Sequence, residues 1–364
     1  MRQPPHSNPH FKSYFNSYSN SHSRLRHAAV ALLSLLSAAH ALASEVGWRQ
    51  LSLAGAVPND APTVVAIYYP TQATARQIAM GPFSVSAAVQ GPPDASFKGL
   101  IVLSHGTGGS ELGHSTLAQA LAHHGYLVAA LRHPGDNWQD RSLLQTSAAN
   151  YFAQRPQQAS RVIDALLREP AWADRIAKDA KGPRIGVLGH SAGGYTALAL
   201  AGAQPNSARA EAHCNSHRTD DPVFCSVGIT APPESTAPPP TQAISKMPAL
   251  ADARVRAVVA MAPVGVVFSA ESLSNIRIPT ALYDAEFDRF LVPRFHADWI
   301  ARHLPAAQRR TVKNAWHFAF MDAPSMPIAS EDGDIGANPP GFDRQAFLNQ
   351  LSRELTDFFD KALR

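Results

Sequence analysis

The 364-residue sequence has few cysteines, few charged residues and no apolar run of great length. Its composition of 45% apolar and 16% charged residues indicates a globular protein with a sizeable core. No run approaches the roughly 20 residues of a transmembrane helix, so we expect no integral membrane segment in the mature chain. Internal repeats, heptads and His/Cys clusters at metal-ligand spacing are also lacking, and we expect neither a metal nor an organic cofactor.

The formal net charge of +4 comes from the first part of the chain. Residues 1–43 contain four basic side chains and no carboxylate, so the remaining residues are balanced in charge. This balance argues against a nucleic acid or an anionic membrane as partner. The same segment combines basic residues, an apolar stretch and Ala41-Leu42-Ala43, a pattern typical of a cleaved secretory signal peptide. We therefore expect residues 44–364 to form one domain of an exported protein, periplasmic or extracellular.

Cys214 and Cys225 are the two cysteines of the chain. In an exported protein such a pair predicts a disulfide that closes a small loop and stabilises the fold by about 3 kcal/mol. Two free thiols are the alternative. Neither cysteine has the neighbouring His or Cys residues that a metal site would require.

Apolar runs typical of buried strands alternate with helical patterns, which predicts an α/β fold with a mostly parallel sheet and helices on both faces. The expected strands are 63–69, 83–89, 99–103, 126–131, 185–188, 255–261, 278–283 and 309–313. The expected helices are 112–123, 158–168, 195–200, 293–304 and 347–359. The first two strands break at prolines and glycines, which indicates an antiparallel start to the sheet.

Residues 204–250 interrupt this alternation. They contain both cysteines and a proline-rich stretch at 231–240. We interpret them as an irregular, partly extended and mobile excursion after the expected helix 195–200, on the side of the sheet where the parallel strands end, and not as a second domain. That position makes the excursion a candidate lid over the substrate.

The sequence Gly189-His190-Ser191-Ala192-Gly193 follows a predicted strand and precedes a predicted helix. A serine on such a sharp strand-to-helix turn has its hydroxyl exposed as a nucleophile, and the two glycines remove clashes that larger residues would cause. Because three fixed positions arise often by chance, a simple glycine-rich turn is the alternative. The flanking strand and helix favour Ser191 as the nucleophile.

A nucleophilic serine needs a base, and the base needs a carboxylate to orient it. On this kind of turn the acid and then the histidine follow the serine in the chain, each after a late strand. His317 lies directly after the last predicted strand and is the expected base. Asp288 is the expected acid, with Asp284 and Glu286 of the same segment as alternatives.

Two backbone amides are expected to stabilise the oxyanion that forms on the substrate carbonyl. The amide of Ala192 follows the nucleophile at the start of a helix, and the amide of Thr107 lies in the glycine-rich segment 105–109. That segment lacks both Gly-x-Gly-x-x-Gly and Gly-Lys-Ser, which argues against a phosphate loop. We expect His105 to support the loop and not to act in catalysis.

Four aromatic residues flank these motifs and are candidates to line an apolar pocket for the acyl group. Packing in the core is the alternative for each of them, because large aromatic side chains are commonly buried for that reason. The four residues are Trp138, Trp316, Phe318 and Phe320.

These motifs resemble the α/β-hydrolase superfamily over nearly all of the mature chain. The resemblance is carried by Ser-His-Gly-Thr-Gly-Gly at 104–109, Gly-His-Ser-Ala-Gly-Gly at 189–194, the turn at Asp288 and Trp-His-Phe-Ala-Phe at 316–320. More narrowly, the segments 133–136 (His-Pro-Gly-Asp) and 317–320 are similar to a bacterial group of predicted dienelactone hydrolases. That group is related to platelet-activating-factor acetylhydrolases and polyester-degrading lipases. The resemblance implies an α/β-hydrolase fold.

The chain departs from each narrow family at one position. Ser191 stands where true dienelactone hydrolases have a cysteine, and residues 261–263 lack the carboxylate of platelet-activating-factor acetylhydrolases. Val264 stands where polyester hydrolases have a tryptophan. The resemblance to the α/β-hydrolase superfamily as a whole is unaffected by these departures.

Taken together, the motifs predict an exported serine hydrolase that cleaves small-molecule carboxylic esters through an acyl-enzyme. An amidase or peptidase with the same three residues is one alternative. A non-catalytic binding protein with a hydrolase fold is the other. Acyl length and oligomeric state are not specified by the sequence.

Overall fold

A computed structural model describes residues 44–57, 60–227, 249–330 and 333–364 of the chain. The expected signal peptide and the proline-rich stretch at 231–240 lie outside the described residues. Residues 44–364 group into one compact unit. Within the described ranges no helix is long and apolar enough to cross a membrane.

A ten-stranded sheet forms the centre of this unit. Its strands are β1 (Glu45–Leu53), β2 (Thr63–Thr71), β3 (Arg76–Met80), β4 (Phe83–Val89), β5 (Leu100–Ser104), β6 (Leu127–Arg132), β7 (Ile185–His190), β8 (Val255–Met261), β9 (Thr280–Ala285) and β10 (Gln308–Val312). Their spatial order is β10-β9-β8-β7-β5-β6-β2-β1-β4-β3. The six strands from β10 to β6 are parallel, and β2 joins β6 in antiparallel orientation. The prediction of a mostly parallel sheet with an antiparallel start is confirmed.

Eight helices accompany the sheet in the described part of the chain. They are α1 (Ser115–His123), α2 (Ala148–Arg168), α3 (Pro170–Ala173), α4 (Ala192–Leu200), α5 (Ser207–His217), α6 (Ala270–Ser274), α7 (Ala297–His303) and α8 (Arg344–Ala362). The longest two begin at side-chain caps, since Ser147 accepts from the Asn150 amide and Asp343 accepts from the Ala346 amide.

The core lies on both faces of the sheet because side chains of a strand alternate between its two sides. In β5, Ile101 and Leu103 pack in the cluster that contains apolar residues of α1 and α8. Leu100 and Val102 of the same strand pack with α2 on the opposite face. All five residues of β5 are buried, which is why its sequence is a continuous apolar run.

Two strands were not expected from the sequence. In β1 the burial pattern is mixed, and β3 is mostly exposed at the end of the sheet, so neither has an apolar run to mark it. Both are fixed by pairing, β1 with β2 along its full length and β3 with β4 in a hairpin. Distant strand partners determine these elements, and local sequence does not.

The described part of the excursion is more regular than expected. Its first half contains helix α5, which begins where the Asn206 side chain accepts a hydrogen bond from the Ala208 amide. Cys214 of this helix is joined to Cys225 by a disulfide with a Cα–Cα distance of 5.4 Å, as expected. The helix forms because this cap is followed by a proline-free sequence from Ser207 to Asp221, and the proline-rich stretch begins only after both cysteines.

Candidate active site

Ser191 lies on a strained turn between β7 and α4. Its backbone angles are φ 57° and ψ −119°, a conformation that L-residues with side chains rarely adopt. A β-carbon on Gly189 would overlap the carbonyl of Gly193, and one on Gly193 would overlap the carbonyl of Ser104. The glycines therefore allow the helix to start close enough to the sheet for this turn to form.

His317 and Asp288 lie together at the same edge of the sheet. His317 opens the short 3₁₀ helix after β10, and its Nδ1 lies 2.7 Å from Asp288 Oδ2. The other carboxylate oxygen, Oδ1, accepts from the amides of Phe290 at 2.9 Å and Leu291 at 2.8 Å. A carboxylate held at both oxygens fixes the ring with its proton on Nδ1, which leaves Nε2 free to accept a proton.

The two alternative acids have other partners. Asp284 is paired with Arg309 through contacts of 2.9 and 3.0 Å and accepts from the Thr311 hydroxyl. Glu286 contacts Lys313 at 2.8 Å and accepts from the Asn314 amide. Both carboxylates thus connect β9 to the strand beside it, and in the described contacts neither reaches the imidazole of His317.

The glycine-rich loop after β5 lies against the serine. A β-carbon on Gly106 would be 3.1 Å from the Cβ of Ser191, so the backbone at this point approaches Ser191 closely. The amide of Gly108 donates to Asp136 at 2.8 Å, and the amide of Gly109 donates to the Gly106 carbonyl. These two amides therefore already have acceptors within the protein. Thr107, whose amide is expected to bind the oxyanion, lies one residue before Gly108.

A buried ion pair anchors this loop. Asp136 and Arg155 form a salt bridge in which both side chains are 0% exposed. Asp136 also accepts from the Tyr151 hydroxyl at 2.8 Å and from the Gly108 amide. The Tyr151 hydroxyl is in turn 2.9 Å from Thr107 Oγ1, and Arg155 donates to the carbonyl of the residue before Gly106. Three segments of the chain thus meet at this carboxylate: the glycine-rich loop, the segment 133–136 and helix α2.

His105 supports the loop in its neutral form. Its Nδ1 donates to the Gly106 carbonyl at 2.6 Å, and its Nε2 accepts from the His133 amide at 3.1 Å. Burial, assisted by the nearby Arg155 charge, lowers the pKa of His105 to about 3. A histidine with both ring nitrogens hydrogen-bonded to the backbone is not available to Ser191 as a base.

His190, which directly precedes Ser191, connects the turn at Ser191 to the segment that contains His317. Its Nε2 lies 3.0 Å from the His317 carbonyl oxygen and donates to it, and the two rings are 4.8 Å apart. Burial and the adjacent His317 lower the pKa of His190 well below its usual value, so the ring is neutral. This contact ties the residue before the serine to the backbone of the expected base.

Ser191 and His317 line the same cavity, whose volume is about 450 Å³. The glycine-rich loop forms one side of this cavity, and apolar side chains form most of the rest. The apolar residues are Phe224, Val227, Val264, Phe290, Leu291, Phe318, Met321, Ile328, Ala329 and Ile335. No group of three or more His, Cys, Asp or Glu residues in the described ranges has the arrangement of a metal site.

The aromatic residues expected in this cavity are placed in different environments. Phe318 lines it, whereas Phe320 is buried in the core beneath α8. Trp138 is not among the lining residues: the residue is 61% exposed, with the Arg132 guanidinium 5.8 Å from the ring centre. Trp316 lies against the Arg289 guanidinium and is not among the lining residues in the described chain. Proximity to a motif in sequence does not determine side-chain direction.

The disulfide loop contributes to the cavity wall and is held in place by hydrogen bonds of Asp221. Phe224, beside Cys225, lines the cavity. Buried Asp221 accepts from His213 Nε2 at 2.9 Å and from His296 Nε2 at 2.8 Å. Burial alone would raise the pKa of Asp221, but the two histidine hydrogen bonds outweigh it and lower the pKa to about 2. The loop is thereby attached to the segment that precedes α7.

Comparisons with known proteins agree with this architecture. The family "Platelet-activating factor acetylhydrolase, isoform II" matches residues 80–169, less than half of the chain. A ferulic acid esterase from Streptomyces cinnamoneus superimposes with a TM-score of 0.58 at 21% identity, covering 90% of this chain and 92% of that one. A dienelactone hydrolase from Anabaena variabilis gives a TM-score of 0.46 at 15% identity, covering 88% of this chain and 100% of that one. No curated protein matches the sequence.

The sheet order, the serine on its strained turn and the superposition on the esterase structure define an α/β-hydrolase fold. Residues 80–169, from the last residue of β3 to the end of α2, are similar to the platelet-activating factor acetylhydrolase isoform II family.

Proposed function

We propose that the protein is a serine hydrolase that cleaves carboxylic esters through an acyl-enzyme. The observation that carries this proposal is a single cavity lined by Ser191 and by His317, whose Nδ1 is held by Asp288. The hydroxyl of Ser191 would attack the ester carbonyl while Nε2 of His317 takes its proton. Asp288 would stabilise the imidazolium that results.

The amides of Thr107 and Ala192 are proposed to stabilise the oxyanion. Ala192 is the first residue of α4, where an amide has no partner within the helix. The intermediate then collapses, His317 gives its proton to the leaving alcohol, and the acyl group remains on the Ser191 oxygen. Water, deprotonated by the same imidazole, releases the acid in the second half of the reaction.

The apolar wall of the cavity supports an acyl group that is largely hydrocarbon. Two proteins to which this chain is similar have names that describe ester cleavage: platelet-activating factor acetylhydrolase and ferulic acid esterase. Their substrates are not transferred to this chain, because the first match is partial and the second shares 21% of residues.

The test is turnover of p-nitrophenyl esters of increasing chain length by the wild type and Ser191→Ala. We expect the substitution to lower kcat by at least about a thousandfold without changing the far-UV circular dichroism. Ser274→Ala, on α6 away from the cavity, is the matched control and should retain full turnover. Retained activity in Ser191→Ala would reject the proposal.

Two further arms separate the alternatives. A p-nitroanilide and a lactone compared with the best ester distinguish an amidase from an esterase, because an amide requires protonation of a poorer leaving group. A fluorophosphonate probe labels an activated serine, so absence of labelling would favour a binding protein.

We also propose that the protein is exported and loses residues 1–43. The leader sequence supports this, and so does the Cys214–Cys225 bond, since disulfides persist in oxidising compartments. Expression of the full chain in a bacterium should yield a periplasmic or secreted product whose first residue is Ser44. An uncleaved cytoplasmic product would contradict the proposal.

A further inference from the structure

Arg141 differs from every other described residue that lines the cavity. It is the one Lys, Arg, Asp or Glu side chain among them, while the remaining described wall is formed by apolar residues, the glycine-rich loop, two serines and histidines. Two of these histidines, His105 and His190, have a pKa lowered by burial and are neutral. The permanent charge at the described wall of the cavity is therefore a single positive one.

The guanidinium lies directly on the loop that faces the nucleophile. A β-carbon on Gly108 would overlap the guanidinium of Arg141, and Gly108 has φ +65°. Glycine at this position therefore provides both the turn and the space that the arginine occupies. The charge is thus placed one residue from Thr107, whose amide is proposed to bind the oxyanion.

The backbone that carries Arg141 is fixed. The Arg141 carbonyl accepts from the Leu144 amide at 3.0 Å, and the next residue donates its amide to Asp140 Oδ1 at 3.0 Å. The Leu143 amide donates to the Gly135 carbonyl at 2.8 Å, which ties this turn to the segment that contains Asp136. The side chain thus extends to the cavity from a rigid base.

Nearby arginines have carboxylate partners, whereas Arg141 has none among the residues that the structure describes. Arg132 is paired with Glu111, and Arg155 is paired with Asp136. In the described ranges no carboxylate forms a salt bridge with Arg141. A planar guanidinium presents donors that match a carboxylate in two parallel hydrogen bonds, and here those donors are directed to no acidic side chain of the described protein.

Building on the proposed esterase function, we propose that Arg141 makes the site selective for esters that carry a carboxylate. The carboxylate would bind the guanidinium at the glycine-rich loop, while the hydrocarbon part of the substrate packs on the apolar wall. It can belong to either half of the ester, as in a half-ester of a dicarboxylic acid or an ester of a hydroxybenzoate. These two sources share the same chemistry and are separated by the test.

The experiment measures kcat/KM for two matched substrate pairs. Mono-p-nitrophenyl adipate against p-nitrophenyl hexanoate tests a carboxylate in the acyl half. The butyryl ester of 4-hydroxybenzoate against that of methyl 4-hydroxybenzoate tests one in the alcohol half. The enzymes are the wild type, Arg141→Gln, and Arg76→Gln, which removes an equal charge from an exposed position on β3.

We expect the wild type to prefer the anionic member of at least one pair. Arg141→Gln should lower that preference by about two- to fivefold, the range for an exposed charge pair, and Arg76→Gln should leave it unchanged. Added salt should weaken the preference in the wild type because it screens the pair.

Two results would overturn the inference while the esterase proposal stands. One is hydrolysis of neutral and anionic esters at the same ratio in wild type and Arg141→Gln. The other is an equal loss for both members of each pair, which would indicate that Arg141 stabilises the oxyanion in general. Failure to hydrolyse any ester would instead reject the proposed function and this inference with it.

Discussion

The buried pair of Asp136 and Arg155 provides the sharpest prediction about how the site is held. Both side chains are 0% exposed, so each charge depends on the other for compensation. Replacing one partner leaves the other buried without an opposite charge, which typically costs about 3–5 kcal/mol. We expect that loss in the free energy of unfolding of Asp136→Asn and, separately, of Arg155→Met.

The double variant should lose much less than the sum of the two single variants. Once both charges are removed, neither is left uncompensated, so the double variant should be no less stable than either single one. The coupling free energy is then about 3 kcal/mol or more. Tyr151→Phe, which removes one hydroxyl donor to Asp136, serves as the comparison and should cost about 1 kcal/mol.

Urea unfolding followed by circular dichroism and tryptophan fluorescence gives these free energies, with m-values compared among all variants. Ester turnover should fall in each folded single variant, because Asp136 accepts from the Gly108 amide and so positions the glycine-rich loop. Strict additivity of the two single substitutions, within about 0.5 kcal/mol, would refute the reasoning.

Three other predictions concern the disulfide, the loss of stability at acidic pH and the turn at Ser191. Cys214→Ala with Cys225→Ala should lower the free energy of unfolding by about 2–3 kcal/mol in thermal or urea denaturation, because the unfolded chain loses a loop constraint. Asp221 has a pKa lowered from 3.8 to about 2, so its ionised form stabilises the fold above about pH 4 and that contribution is lost as the pH falls towards 2. The stability difference between wild type and Asp221→Asn should therefore shrink by about 2 kcal/mol between pH 5 and pH 2, as measured by urea unfolding; a constant difference would contradict the assigned contacts. Gly193→Ala should cost more than about 3 kcal/mol, or yield insoluble protein, because a β-carbon there meets the Ser104 carbonyl; near-native stability would contradict the packing of the turn.

The parallel half of the sheet was predictable because its strands are buried on both faces. Residues 255–261 were expected as a strand and form β8 with the same bounds. Helices were harder to delimit: α2 begins at Ala148, ten residues before the expected start, because its first turns include Pro156 and polar residues. Edge strands such as β3 depend on pairing and were missed for that reason.

The predicted site residues follow from chain order and local motif, whereas the network that supports them does not. The pattern around Ser191 and the position of His317 after the last strand are both local features of the sequence. The contact between Asp136 and Arg155 joins a loop to a helix, and it brings Tyr151 and Thr107 together with them. Such a connection depends on tertiary packing, and its one visible signal was the His-Pro-Gly-Asp segment at 133–136.

Trp138 shows that a position beside a local motif does not determine whether a side chain lines the cavity. This large aromatic residue beside a conspicuous loop is a candidate for the acyl pocket from the sequence, with packing as the alternative. In the structure its backbone amide donates to the Gly109 carbonyl, and its ring extends outward beside Arg132. The cavity wall is instead completed by Phe224, inside the disulfide loop, and by Val227, just after Cys225. Both belong to a segment that the sequence predicts to be irregular.

Direct detection of the acyl-enzyme tests the central claim. The enzyme is mixed with p-nitrophenyl hexanoate, quenched in acid within milliseconds, digested with trypsin and analysed by mass spectrometry. We predict one hexanoyl adduct on the tryptic peptide 185–209, fragmenting to Ser191, and a burst of p-nitrophenol of equal amount. Steady release of p-nitrophenol with the acyl group on another residue, or with Ser191 unmodified under every quench time, would contradict the account.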